Sequence, residues 1–361
     1  MSPARKDLEA LVASPFAAQL VEAMPEPAIL VGADGRADAA NGRAYDLLPG
    51  LKLGEPLVLA LRAPDVVDAQ RRVMASGEVE TVSWSERVPV ERLFDVTVAP
   101  LLSAEADAVA TLVTLRDRTE LRRVERLRVD FIANASHELR TPLASLLGFI
   151  ETLQGSARDD PRARERFLAI MREQGLRMSR LIDDLLSLSR IEQKQHVQPD
   201  AAVDLAQMTR SVVDGLSAMA DELQVEIRFS AAGPAVVAGD RDELLRVAEN
   251  LIENAIKYGA PSHREGPSLV EVAVSVNRKD ATLTVRDYGP GIAPEHLPRL
   301  TERFYRVDAG QSRAKNGTGL GLAIVKHILT RHRGRLSIAS RIGQGSSFIA
   351  SIPLHGDKNR V

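Results

Sequence analysis

Positions 136–143 read SHELRTPL and place an imidazole, a carboxylate, a guanidinium and a hydroxyl inside a stretch that otherwise has the spacing of an amphipathic helix. At about 100° per residue, His137 lies about 200° from Ala135 and about 160° from Leu139, opposite the apolar stripe and toward solvent. Glu138 beside it can accept a hydrogen bond from one ring nitrogen and leave the other unprotonated, as a base does when it prepares a nucleophile. Thr141 shares the His137 face one turn later. Pro142 lacks the N–H that would bond the carbonyl of Glu138, so a kink is expected there.

Three separated stretches further along could hold the electrophile. AENLIENAIKYG, at 248–259, spaces Asn250, Asn254 and Lys257 by four and three, which puts them on one helical face. Such oxygen and ammonium groups suit a metal-bridged triphosphate. VRDYGPGI, at 285–292, sets Asp287 at the end of a strand before a glycine turn, where a carboxylate can accept from an exocyclic amine. NGTGLGLAIVKHIL, at 316–329, is a glycine-rich loop running into a helix, and free N–H groups with a helix dipole suit phosphate. No G-x-x-x-x-G-K-[ST] occurs, so this is not a Walker P-loop.

FIANASHELRTPLASLLGFIETL resembles the phosphoacceptor box of sensor histidine kinases, matching H-E-x-x-T-P-L throughout. The three later stretches, in this order, resemble the N, G1 and G2 boxes of the Bergerat-type ATP-binding domain, with RFYRVD as the F box. The resemblance implies ATP and Mg²⁺ as cofactors, with Asn254 as the metal ligand, Asn250 and Lys257 near the phosphates, Tyr258 beside the base and Asp287 on adenine. It further implies that Gly289 and Gly291 frame the base, that Gly317, Thr318, Gly319 and Gly321 close over the phosphates, and that the Ser347 hydroxyl contacts the adenine side. Residues 305–318 resemble the mobile ATP lid. Related chaperone and topoisomerase ATPases carry a glutamate base where this chain has Asn250, and an amide cannot take a proton from water at neutral pH. His137 is then the candidate nucleophile, assisted by Glu138, and the resemblance implicates Thr141 in dephosphorylating a partner regulator. The implied activity is ATP-dependent autophosphorylation of His137 and transfer to an aspartate of a response regulator receiver domain. A stand-alone ATPase of the same type and a scaffold with idle catalytic residues are the alternatives.

Positioning these groups calls for a multidomain α+β chain. Residues 15–116 mix short alternating apolar runs with Gly, Pro and Asp breaks, as a small strand-rich domain does. LVEAMPEPAILVGADGRADAANGRAYDLL and the closing TLVTLRDRTELRR, with Asp117 and Thr119 as an Asp-x-Thr exit, resemble a PAS-type α/β sensor domain. Residues 117–130 read as a signalling helix. Residues 131–195 read as an antiparallel helical hairpin for dimerisation and phosphotransfer. Its stripes are Leu121, Val124, Phe131, Ala135, Leu139, Leu146 and Ile150 on the first helix, and Phe167, Met171, Met178, Leu181, Leu185 and Leu188 on the second. Two stripes exceed what one hairpin covers, so a homodimeric four-helix bundle is expected. Residues 200–356 alternate helices and strands, with a hairpin turn near 278–280, as an α/β-sandwich ATP-binding domain does. The order of domains resembles PhoR-type phosphate-regulon sensor kinases.

Composition bounds the remaining choices. The chain has 361 residues, 44% hydrophobic and 27% charged, with a formal net charge of -2. That balance gives no general reason to expect nucleic acid as a partner. Cysteine is absent, which excludes disulfides, thiolate chemistry and a flavin adduct, and no histidine precedes His137 to serve as a haem ligand in the first domain. Trp84 and Phe94 read as core aromatics. No apolar run of about 18 residues and no signal peptide is readable. A cytoplasmic location is expected, either as a soluble kinase or as the cytoplasmic part of a membrane-anchored one.

Overall fold

The computed structural model describes residues 14–86, 92–102, 108–194, 196–259, 268–307 and 317–356, in two compact units that divide the chain after Ile132. The first unit runs α1 (Pro15–Glu22), β1 (Ala28–Gly32), β2 (Ala37–Ala40), α2 (Gly42–Leu47), α3 (Leu57–Leu61), α4 (Pro64–Ser76), β3 (Glu80–Glu86), β4 (Arg92–Leu102) and β5 (Ala108–Asp117). Its sheet has the order β2-β1-β5-β4-β3, with every pairing antiparallel. On β4, Phe94, Val96 and Val98 are buried while the residues between them are partly exposed, the period-2 pattern of a half-buried strand. They join Ile29, Val31, Leu61, Val66 and Val73 in one core, and Trp84 stacks on Phe94 with ring centroids 5.1 Å apart. Phe94 is a core residue, and Trp84 is half-buried against that core. The sheet's other face is covered by α1 through Val21.

The predicted Asp-Gly turn joins β1 to β2, and Asn41 opens α2 from a fully buried position. Its Oδ1 accepts from Ala28 N at 3.0 Å and Ala44 N at 2.9 Å, while its Nδ2 donates to Met24 O at 3.3 Å and Glu26 O at 2.8 Å. One side chain thereby ties the incoming loop, the first strand and a helix N-terminus together.

Helix α5 (Thr119–Gln154) starts at the Asp-x-Thr exit, where Asp117 Oδ1 accepts from Thr119 N at 2.8 Å and Thr119 Oγ1 accepts from Leu93 N at 3.0 Å. It is continuous helix across Pro142. Helix α6 (Pro161–Gln193) is capped by Asp160, whose Oδ1 accepts from Arg162 N and Ala163 N, and proline sits where its missing N–H costs nothing. Phe149 of α5 stacks on Phe167 of α6. Along α6, Leu181, Leu188 and Ile191 are buried, whereas Leu143, Leu147, Leu168, Leu176, Ile182 and Leu186 of the hairpin remain exposed.

The rest of the second unit is an α/β sandwich: β6 (Ala202–Asp204), α7 (Leu205–Glu222), β7 (Val225–Ala231), β8 (Val236–Ala238), α8 (Arg241–Tyr258), β9 (Ser268–Val276), β10 (Asp280–Asp287), a 3₁₀ turn (Pro294–Arg299), α9 (Gly321–Arg331), β11 (Arg335–Arg341) and β12 (Gly345–Pro353). The main sheet has the order β11-β12-β10-β9-β7, with β7 parallel to β9 and the other pairs antiparallel. The predicted turn between β9 and β10 is built on Asn277, whose Oδ1 accepts from the N–H groups of Lys279 and Asp280. Helix α8 buries Leu244, Val247, Ala248, Leu251, Ile252, Ala255 and Ile256, a stripe at three- and four-residue spacing. That stripe turns Asn250, Asn254 and Lys257 onto the remaining face. Arg331 at the end of α9 donates from Nε to Lys194 O at 3.2 Å and Val197 O at 2.9 Å, and its other end meets Glu243 of α8, so the chain leaving the hairpin is held to the sandwich.

Candidate nucleotide and phosphoacceptor site

The site is built where β10 ends against α8. Asp287 is 6% exposed, and its Oδ1 accepts from Gly289 N at 3.0 Å and Ser346 N at 3.2 Å. Burial raises its pKa, and the two backbone N–H groups partly oppose the rise. Oδ2 takes no hydrogen bond from the described residues. Gly289 lies against the backbone of Gly259, where a Cβ would sit 2.8 Å from Gly259 Cα, so only glycine lets these two segments close on Asp287.

Ser347 is not brought to this cluster, which corrects the expectation for it. In the β10–β12 ladder Arg286 pairs with Ser347 and Val285 with Phe348, so Ser347 shares the outer face of the sheet with Arg286. Ser346 takes its place beside Asp287, one residue earlier and on the same face as the buried Phe348, Ala350 and Ile352. Gly291 also lies apart, packed on the backbone of Arg341 at the β11–β12 turn.

On α8, Asn250 folds its Nδ2 back to Arg246 O at 2.8 Å, and its amide oxygen lies where a side chain on Gly321 would project, at 2.4 Å from the Cβ position. The absence of a side chain at Gly321 thus lets Asn250 lie against the start of α9. Asn254 and Tyr258 are half-buried on or next to this face. Lys257 is bonded to the carboxylate of Glu253 one turn earlier. Among the four residues that close the glycine loop, Gly317 O accepts from Arg306 at 2.7 Å, Thr318 Oγ1 donates to Asp184 Oδ2 at 2.8 Å, and Gly319 O accepts from Phe304 N at 2.8 Å. Of the expected lid, 308–316 lie outside the described residues.

His137 is exposed on α5, as its helical position requires, and Thr141 Oγ1 donates to His137 O at 3.2 Å. Glu138 does not meet the imidazole. Its Oε2 accepts from Arg177 of α6 at 3.1 Å and from Arg306 at 3.0 Å, so two guanidinium groups share one carboxylate oxygen. Arg306 is 8% exposed at its side chain and keeps a buried Nε with no partner. Asp184 of α6 has its pKa raised by burial, against the opposing hydrogen bond from Thr318 and the nearby positive charge of Arg246.

Asp184 and Arg306 carried no role in the sequence reading, yet one of them left a signal. Leu181, Asp184, Leu188 and Ile191 follow a three-four-three spacing, which puts a carboxylate in the buried seam of α6. Arg306 sits in RFYRVD with nothing local to mark it, because its partners are distant in sequence.

Three families match the chain: the PAS fold over residues 21–123, the His Kinase A phospho-acceptor domain over 127–194, and the histidine kinase-, DNA gyrase B- and HSP90-like ATPase over 239–356. The phosphate regulon sensor protein PhoR of Pseudomonas aeruginosa is 40% identical over 237 residues, covering 66% of this chain and 52% of PhoR. The chain belongs to the sensor histidine kinases. Sensor protein SrrB of Staphylococcus aureus is 31% identical to this sensor kinase over 340 residues, covering 92% of the chain and 55% of SrrB. The chain thus spans about half the length of the curated relatives it matches. The crystal structure of histidine kinase ThkA in complex with response regulator protein TrrA shares the fold, with a TM-score of 0.51 and 22% identity over 94% of this sensor kinase and 99% of that chain. No helix among the described residues is long and apolar enough to cross a membrane.

Proposed function

We propose that this chain binds Mg-ATP in the pocket floored by Asp287, autophosphorylates His137 and passes the phosphoryl group to an aspartate of a response regulator receiver domain. The observation that carries this reading is Asp287 itself, a buried carboxylate held by two backbone N–H groups through one oxygen with the other left for the adenine amine. Tyr258 would lie beside the base, Ser346 beside Asp287, and Asn250, Lys257 and the loop at 317–321 near the phosphates. Mg²⁺ would be held by Asn254 with phosphate oxygens and water, as suits an ion that keeps part of its hydration shell. Among the described residues no cluster of three or more acidic or imidazole side chains offers it a cage of its own. In the transfer a His137 ring nitrogen forms the N–P bond, the bond from the γ-phosphorus to the bridging oxygen breaks, and ADP leaves with that electron pair. The ring proton passes to Glu138 or to solvent, and Glu138 must first turn from its arginines to receive it.

The domains of this reading are a sensor at 15–116, a signalling helix at 117–130, the phosphotransfer hairpin at 131–195 and the ATP-binding domain at 200–356. The exposed leucines and isoleucines of the hairpin support a homodimer in which a second copy covers them. Likeness to PhoR supports a role in phosphate-regulon signalling, and the ATP requirement supports a cytoplasmic location for these domains. Thr141 acts in the opposing phosphatase activity, aiming a water at the phosphorus of the regulator's aspartyl phosphate so that inorganic phosphate leaves and the aspartate is restored.

Incubation with γ-labelled ATP tests the kinase reading. Acid-labile, base-stable label is expected on the wild type and none on His137→Ala, which still binds ATP. Release of free phosphate without label would instead make the chain a plain ATPase. Thr141→Ala is expected to keep the label and to prolong the life of a phosphorylated regulator in the presence of ADP, and an unchanged lifetime would leave Thr141 a helix-bonding residue only.

A further inference from the structure

The hairpin and the nucleotide loop are joined by carboxylates. Asp184 accepts from the Thr318 hydroxyl, Glu138 reaches the same loop through Arg306 and Gly317 O, and Glu192 at the end of α6 is bonded to Arg303. The Asp184 contact is partly buried, on the face of α6 that also carries the fully buried Leu188 and the 3%-exposed Leu181, and is only partly screened by water. Its electrostatic neighbours include Arg246 and Glu253, residues of the polar side of α8 that also carries Asn250 and Asn254. A carboxylate thus stands near the polar side of α8 and on a hydroxyl of the loop assigned to phosphate.

We propose that Asp184 makes the nucleotide site discriminate between ATP and ADP, by opposing the additional charge of the γ-phosphate while the hairpin is docked on the nucleotide loop. This rests on the ATP-binding reading above. A hydroxyl has one proton to give. While Thr318 donates to Asp184 it cannot donate to a phosphate oxygen, and a carboxylate near a terminal phosphate raises the energy of the bound state through like-charge repulsion. ADP, shorter by one phosphoryl group, leaves the contact in place. ATP binds by displacing Asp184, so the same event that fills the site frees the loop from α6. Asp184 is a specificity-determining residue on this view, and Leu181, Leu188 and Ile191 keep its position.

The test uses the full chain with Mg²⁺ and measures the dissociation constants of ADP and of a non-hydrolysable ATP analogue by calorimetry. Asp184→Asn keeps the shape and an acceptor for Thr318 but removes the charge. It is expected to tighten the ATP analogue about five- to tenfold while ADP changes by less than about twofold. Equal changes for both nucleotides, or none, overturn the inference. A second measurement needs no variant: hydrogen exchange at 181–191 of the wild type is expected to rise with the ATP analogue and to stay at its apo level with ADP. Equal exchange with the two nucleotides would also overturn it. If the wild type binds neither nucleotide, the functional reading itself fails, which is a different result from an unchanged ratio.

Discussion

Asn41 in the first unit and Asp287 in the second are both buried polar side chains beside a strand end, and they are satisfied to different degrees. Asn41 makes four hydrogen bonds, two through Oδ1 and two through Nδ2, which is its full capacity for a buried amide. Asp287 spends only Oδ1. A buried polar group with every bond made inside the protein serves the fold, because removing it strands its partners. One with an oxygen kept free retains part of its desolvation cost and is held in reserve for something that arrives from outside. Ser346 belongs with Asn41 by this criterion: its backbone N–H holds Asp287 and its hydroxyl is bonded to that of Ser340 at 2.9 Å.

The strongest break of this comparison is Asp287→Asn. An amide there keeps one oxygen for Gly289 N and Ser346 N but turns an NH₂ donor toward the pocket, where the adenine amine is also a donor. Nucleotide affinity is expected to fall by about 100-fold, the scale of a lost charge-assisted hydrogen bond facing a mismatched donor. The fold should be retained, since burial already disfavours the charged carboxylate. Titration with a fluorescent ATP analogue, beside a circular dichroism melt, checks both halves. Unaltered affinity would mean that Oδ2 receives no ligand.

Asn41→Ala should do the converse. Two N–H groups and two carbonyls lose their partner at a fully buried position, and the first unit is expected to lose about 3 kcal/mol. Trp84 is the only tryptophan of the chain and packs on the first unit's core, so its fluorescence follows that unit alone. Nucleotide affinity is expected to stay at the wild-type value. A stability change under about 0.5 kcal/mol would show that the four bonds are replaced at no cost, and the contrast with Asp287 would collapse.

How far the sequence reached depends on the range of the interaction. The paired strands, the Asn277 turn, the cap at Asp160 and the stripe of α8 follow from residues within a few positions of one another, and local periodicity shows them. His137 could be placed on the exposed side of α5 from its angle to Ala135 and Leu139 alone. At Ser347 strand parity outweighs the motif, since Phe348 faces the core and its i−2 neighbour, Ser346, must share that face. The partners of Glu138 were beyond reach for another reason. Arg177 and Arg306 lie 39 and 168 residues away, and no spacing rule connects positions that only tertiary packing brings together. Local sequence offers Glu138 only its neighbour His137 as a partner, and the fold gives it two arginines instead.

His332 repeats the Asn41 case in the second unit, and titration is the way to show it. Its side chain is fully buried, Nε2 accepts from Asp240 N at 3.0 Å and Nδ1 donates to Ile328 O at 2.8 Å, so the neutral ring is satisfied as completely as Asn41. A proton added at Nε2 would cancel the bond from Asp240 N. Burial lowers its pKa, with Arg331 acting in the same direction and the Ile328 carbonyl, Glu243 and Asp240 opposing. The folded ring therefore stays neutral while the unfolded ring takes up a proton below about pH 6.5. The unfolded state then binds more protons, so the second unit keeps this stability above about pH 6.5 and loses it as pH falls below that value. His327, also lowered chiefly by burial, adds a second proton to the same window. One group contributes at most about 1.4 kcal/mol per pH unit, and His332→Gln is expected to remove about half of the wild-type slope below pH 6.5. Hydrogen exchange along α8, which His332 caps through Asp240, follows the unit as pH is lowered. A slope identical in wild type and variant would mean that the ring is already charged in the fold, and that the Asp240 N–H is held by another acceptor.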